Sequence, residues 1–378
     1  MTKTFVSMAN NDLLSRTISY LRFPLMVGVV FIHFNTDAVN PDAVNPNWLH
    51  YITSLFSYVL SAVCVPLFFF FSGFLFFYHS NFNADTYKKK LKSRIRTLLI
   101  PYILWNIIAL INAAIRLLPC LAKLFPNAYK RRIDYSLSAI LNTFWNNQDG
   151  MIILPKEDII NTTGGSIFPA DVPMWYIRDL MIVIICAPIL YWLIKKMSFY
   201  FIIALGLVWY IAAPLGLGYL YQLIFALLFF SWGAFYSIKQ IDFTTLFQKL
   251  FFVPILYATI VLLDLLTEGK PYNWYIHSAG IILGMISAIS ITVTLLERGK
   301  IKINSFLVNA SFFLFALHVL FMKELGKAIY TLIHIDSPYY LMFLYFFVPI
   351  ATIFICLGLY KVLRKHFPRC IAVLTGGR

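Results

Sequence analysis

Ten stretches of predominantly apolar residues, parted by short polar breaks, account for most of this chain. They fall near 17–38, 52–78, 97–118, 175–194, 198–214, 219–238, 250–267, 275–296, 305–330 and 338–361. A helix needs roughly 20 such residues to cross the ~30 Å hydrocarbon core of a bilayer. The pattern therefore predicts an all-α, polytopic membrane bundle of about ten transmembrane helices, built as a single membrane domain over residues 1–378. Boundaries are softest across 197–240, where Gly206, Pro214, Gly216 and Gly218 interrupt the apolar run. The first stretch continues to about Ala38 without a small-residue cleavage site, so it is expected to be a retained span rather than a leader.

The polar breaks alternate in charge. Lys3 and Arg16 precede the first stretch, and Lys88, Lys89, Lys90, Lys92, Arg94 and Arg96 precede the third. Further basic clusters follow at Lys195 and Lys196, at Lys239 and Lys249, at Arg298, Lys300 and Lys302, and at the end of the chain. The intervening short breaks, such as 39–51 and 213–219, are almost free of Lys and Arg. Basic residues concentrate on cytoplasmic loops, so both termini are expected in the cytoplasm. One break is unlike the others: residues 119–174 form a polar segment of roughly 55 residues, where loops beyond ~15 residues are usually functional or disordered. Parity places it outside the cytoplasm.

Composition agrees with this reading and narrows it. The chain is 60% hydrophobic and 12% charged, with 36 Phe in 378 residues and a mean hydropathy of +0.77, against an apolar share of roughly 45–50% in soluble domains. A net charge of +15 would suggest nucleic acid in a soluble protein, but here it follows the loop alternation and is topogenic, so no nucleic-acid partner is expected. Cys64, Cys120, Cys186, Cys356 and Cys370 lack the spacing of a metal site, and no metal or bound cofactor is expected.

Ionisable side chains inside the apolar stretches carry the candidate chemistry. His33 follows Arg22 by eleven positions within LRFPLMVGVVFIHF. Eleven steps of ~100° return almost to the starting azimuth, so the two share one helical face about 16 Å apart along the axis. An Arg within a span costs about 2.5–3.5 kcal/mol on insertion scales, and such residues usually face a protein interior or a wet path. The topology divides the polar residues into an inner, cationic level of Arg22, Arg94 and Arg96 and an outer, titratable level of His33, Arg178, Asp179, His318, Lys323, Glu324 and Lys327. Guanidinium groups suit the phosphates of a nucleotide-type donor, and an imidazole suits proton transfer to and from a hydroxyl. Plainer readings stand beside these. Arg94 and Arg96 belong to a basic loop, Arg22 can snorkel to the headgroups, His318 can be a buried histidine bonded to a neighbouring helix, and Asp179 can pair with Arg178 or Lys323. Trp145 and Trp175 suit either a sugar face or the membrane interface. A transporter that exports a glycan intermediate or a small acid along an Arg22–His33 path is the alternative function.

Five segments, in order, resemble the acyltransferase type 3 family of integral membrane proteins. They are Arg22 and His33 with ten residues between them; PLFFFFSGF at 66–74; the basic run from Lys92 into LLIPY, with Trp105; PMWYIRDL at 173–180; and SFFLFALH at 311–318. The resemblance implies an enzyme of the plasma membrane. It would move an acyl group, acetyl by default, from cytoplasmic acyl-coenzyme A, a co-substrate, to a hydroxyl of an extracytoplasmic or lipid-linked carbohydrate. It implies His33 as the catalytic group, with Arg22, Arg94 and Arg96 binding the donor. Ser72, Gly73, Trp175, Arg178, Asp179 and His318 would serve structure or substrate positioning. Many members of the family carry Arg-x-x-Arg before the third helix, where this chain has Arg94-x-Arg96.

Overall fold

The computed structural model describes residues 2–36, 46–116, 118, 132–133, 136–147, 152–153, 167–333 and 335–377. Its helices are α1 (Thr2–Ile32), α2 (Asn47–Phe77), α3 (Ala84–Ile115), α4 (Leu137–Trp145), α5 (Val172–Ile185), α6 (Ala187–Met197), α7 (Phe199–Ala212) and α8 (Tyr219–Ile238). They continue as α9 (Phe243–Gln248), α10 (Val253–Thr267), α11 (Asn273–Glu297), α12 (Ser305–Leu317), α13 (Val319–Ile333), α14 (Pro338–His366) and α15 (Pro368–Leu374). The fold is all-α apart from a two-residue antiparallel pairing of Arg132–Ile133 with Ile152–Ile153.

Each apolar window of the sequence corresponds to one helix or one helix pair. Six helices, α1, α2, α3, α8, α11 and α14, are long and apolar enough to cross a membrane. Two pairs qualify only together, α5 with α6 bent by 63° and α12 with α13 bent by 73°. That gives six crossing elements, or eight with the bent pairs, among the described residues. The helices α7 and α10, of 14 and 15 residues, fall short of the length a span requires.

The two bends have local causes. Cys186 ends α5, and Pro188 in the first turn of α6 lacks the N–H that would continue the hydrogen-bond ladder. His318 occupies the other break. Its imidazole bonds the backbone of the preceding turn, with Nδ1 3.0 Å from the Leu314 carbonyl oxygen, so the side chain sits folded back at the point where the helix turns.

Helices α2 and α8 lie in backbone contact. A Cβ added to Gly73 would stand 1.9 Å from the Phe230 carbonyl oxygen, and one added to Gly233 would stand 1.8 Å from that of Phe70. Each glycine thus admits the backbone of the residue three positions before the other, the reciprocal form of small-residue packing that lets membrane helices approach closely. Rings of Phe70, Trp232, Tyr236, Phe243 and Phe247 close around this crossing. Most of the long segment expected at 119–174 lies outside the described residues. Of its described part, α4 is joined to the bundle where the Tyr102 hydroxyl donates to the Phe144 carbonyl.

Candidate active site

A cavity of about 300 Å³ opens between α1, α2, α3, α5 and α12. Ile18, Arg22 and Met26, spaced by four, line it from one face of α1. Phe68, Phe71, Ser72 and Leu75 contribute from α2, Arg94 and Leu98 from α3, Tyr176 and Leu180 from α5, and Asn309, Ser311, Phe312 and Phe315 from α12. The walls are apolar and the polar groups few, as in most small-molecule sites. The Ser72 and Tyr176 hydroxyls bond each other at 2.9 Å, and Tyr176 also donates to the Phe68 carbonyl at 3.2 Å.

Arg22 and Arg94, 72 positions apart in sequence, both face this cavity. Among the described residues no carboxylate lies within ion-pair distance of either. Arg94 Nε is buried without a hydrogen-bond partner, and its guanidinium lies 6.0 Å from the Phe76 ring centre. Arg96 is exposed and does not line the cavity. Arg96 lies in a π-helical turn, Ile95–Leu99, and two steps turn the backbone by about half a turn in either helix type, so residues at i and i+2 cannot share a face.

His33 lies at the end of α1, beyond the cavity. Seven residues separate it from Met26, about 10 Å along the axis. Its ring centre is 5.2 Å from that of His318 at the α12–α13 break. Since a carbonyl oxygen can only accept, the bond to Leu314 assigns the proton of His318 to Nδ1 and leaves Nε2 as a lone pair. That nitrogen is buried and has no hydrogen-bond partner. Tyrosine and phenylalanine rings of α2 and α14 pack behind Phe31, two residues before His33.

Arg178 and Asp179 sit elsewhere, in a buried tie that fastens the α4 region to α5. Arg178 Nε donates to Asp179 at 2.8 Å, while its terminal nitrogens donate to the carbonyls of Trp145, at 2.6 Å, and Ile167, at 3.1 Å. The guanidinium lies between the rings of Trp145 and Tyr219, 4.9 and 4.8 Å from their centres, and Tyr219 donates to Asp179 at 3.2 Å. Of the two partners foreseen for Asp179, the structure gives Arg178. Trp175 is half-buried with its ring 6.3 Å from that of Phe69, and Gly73 meets Phe230 rather than the cavity. Beside the tie, Asp171 is buried, and desolvation holds its carboxyl well above the usual carboxylate range. Arg178→Leu, which strands Asp179, is expected to cost about 3–5 kcal/mol, read as a lower melting temperature in detergent. The double variant with Asp179→Leu should recover most of that loss, because it removes the stranded charge.

Tyr176, Asn309 and Ser311 line the cavity although the sequence did not single them out as site residues. Tyr176 and Ser311 lie within segments already noted, but their orientation depends on helices far away in sequence.

The comparisons with known proteins agree with the motifs. The profile of a family described as an acyltransferase domain matches residues 16–361, and the chain belongs to that family: it is a multi-pass membrane acyltransferase. It is similar to the succinoglycan biosynthesis protein ExoH of Rhizobium meliloti (strain 1021), 24% identical over 380 residues that cover 96% of this chain and 92% of the relative. No solved structure matches it.

Proposed function

We propose that this enzyme transfers an acyl group, acetyl by default, from acyl-coenzyme A to a carbohydrate hydroxyl across the plasma membrane. The observation that carries the donor assignment is the pair Arg22 and Arg94, two guanidinium groups facing one membrane cavity with no carboxylate in ion-pair range among the described residues. Such a pair calls for an anion, and phosphate oxygens match its donors. A carbohydrate acceptor is supported by the family and by the relative named for succinoglycan biosynthesis.

In this reading the donor enters from the cytoplasmic side, where Lys88 to Arg96 and the other basic loops lie. The thioester passes Ser72 and Tyr176 and reaches the level of His33. His318 Nε2, unpartnered in the structure, is the acceptor available to one His33 nitrogen across ring centres 5.2 Å apart, and that pairing would leave the other nitrogen as the base. That nitrogen takes the proton of the acceptor hydroxyl while the oxygen attacks the thioester carbonyl carbon. As the carbon–sulfur bond breaks, the same proton passes to the departing sulfur and free CoA thiol leaves.

Purified protein in detergent, given acetyl-CoA and a panel of glycosides, is expected to release CoA thiol only when an acceptor is present. Arg22→Gln and Arg94→Gln should each raise the KM for acetyl-CoA about tenfold or more, whereas Arg96→Gln should stay near wild type. Protein that neither binds nor consumes acetyl-CoA would overturn the donor assignment.

A further inference from the structure

A second cavity, of about 660 Å³, lies in series with the first, toward the start of α1. On α1 the first cavity is lined by Ile18, Arg22 and Met26 and the second by Leu14. On α2 the lining runs from Phe68 to Leu75 in the first, and in the second from Phe74 to the end of the helix and on through Asn81. The bent pair repeats the order, with Leu180 and Ile184 of α5 on the first cavity and Tyr191 and Lys195 of α6 on the second. Three elements thus lead from one cavity to the other in the same direction, away from His33.

The chemistry of the second cavity differs from that of the first. Six aromatic side chains, Phe74, Phe77, Tyr78, His79, Tyr191 and Tyr236, line it, with the Tyr78 and His79 ring centres 4.0 Å apart. Ser237 Oγ is buried without a hydrogen-bond partner, and Asn81 and Gln240 add amides. Lys195 brings an exposed cation, 5.1 Å from the Tyr191 ring centre, and Lys90 donates to Ser80 on the rim at 3.2 Å. The one acid in the lining, Asp242, is occupied: its two oxygens accept from the Thr244 and Thr245 hydroxyls. His79 and Gln240 take left-handed backbone conformations, φ 48° and 55°. Such conformations are uncommon for residues with side chains and cluster at ligand clamps.

We infer that this cavity seats the adenine-nucleotide end of the acyl donor, with the base among the tyrosines and the 3′-phosphate toward Lys195. The inference rests on the acyl-CoA reading above and adds a site to it. Aromatic faces stack a base, amide and hydroxyl groups meet its polar edge, and a lysine serves as a point charge for phosphate. The placement accounts for two cavities in line: the nucleotide is held near the basic loops, its diphosphate reaches toward Arg22 and Arg94, and the thioester arm continues toward His33.

Equilibrium binding of radiolabelled CoA to the full-length protein in detergent, with adenosine 3′,5′-bisphosphate and pantetheine as competitors, tests this. Adenosine 3′,5′-bisphosphate is expected to displace CoA. Lys195→Glu and Tyr191→Ala should each weaken CoA and the bisphosphate at least about tenfold while leaving pantetheine competition unchanged. Lys195 is exposed, so its variant keeps the test open should Tyr191→Ala fail to fold. Normal CoA affinity in a folded Lys195→Glu protein would overturn the nucleotide site and leave the donor reading standing. A wild-type protein that binds no CoA would overturn both.

Discussion

His33→Ala is expected to lower the turnover of acyl transfer by about 10²- to 10⁴-fold, the range over which a positioned acid–base group acts. The loss should fall on kcat, with CoA affinity and membrane insertion unchanged, because His33 lies beyond the cavity that carries Arg22 and Arg94. In the proposed function, the helical distance from Met26 to His33, about 10 Å, would separate donor binding from proton transfer. His318→Ala should follow in the same direction with a smaller effect, since it removes the imidazole packed against His33 rather than the base itself. CoA thiol release and radiolabelled CoA binding, measured on the same preparations, separate the two quantities. A His33→Ala enzyme with wild-type turnover would return the base to another group.

Gly73→Ala is expected to be as damaging, for an unrelated reason. The added Cβ would stand 1.9 Å from the Phe230 carbonyl oxygen, a backbone atom that no rotamer change can move aside. Overpacking of this kind costs typically 1–3 kcal/mol and more where the backbone must shift. Gly233→Ala makes the mirror clash with Phe70 and should fail in the same way, and the double variant should be less than additive because both force one crossing apart. Size-exclusion profiles and melting temperatures in detergent report this directly. Ser72→Ala, one residue from Gly73, should leave the fold intact, because its side chain faces the cavity and Tyr176. The adjacent residues of one short motif therefore serve different ends.

How far the site was legible follows the range of each cue. Arg22 and Met26 on one helical face, with His33 farther along, follow from a period of 3.6 residues, and the structure keeps α1 helical through Ile32. The same periodicity separates Arg94 from Arg96. The sequence reading grouped them by charge, where the rotation between i and i+2 sends one to the cavity and the other to the surface. Arg178 and Asp179, read from the sequence as structural or substrate-positioning residues, are joined in the structure to Trp145, Ile167 and Tyr219. Trp175 has its ring beside that of Phe69, and Gly73 lies against the Phe230 backbone.

The sequence by itself determined the membrane class, the all-helical fold, the order of the apolar elements and the family. Hydropathy and helical periodicity are local, and the bilayer enforces both because backbone polar groups in hydrocarbon must be satisfied within each helix. Only the tertiary structure decided which residues meet. Ser72 finds Tyr176 across 104 residues, Gly73 and Gly233 fit together from two helices, and His33 reaches His318 at a helix break. Contact between helices in a membrane depends on shape at the point of crossing, where small residues, bends and side-chain volume act together. No window of a single helix contains that information.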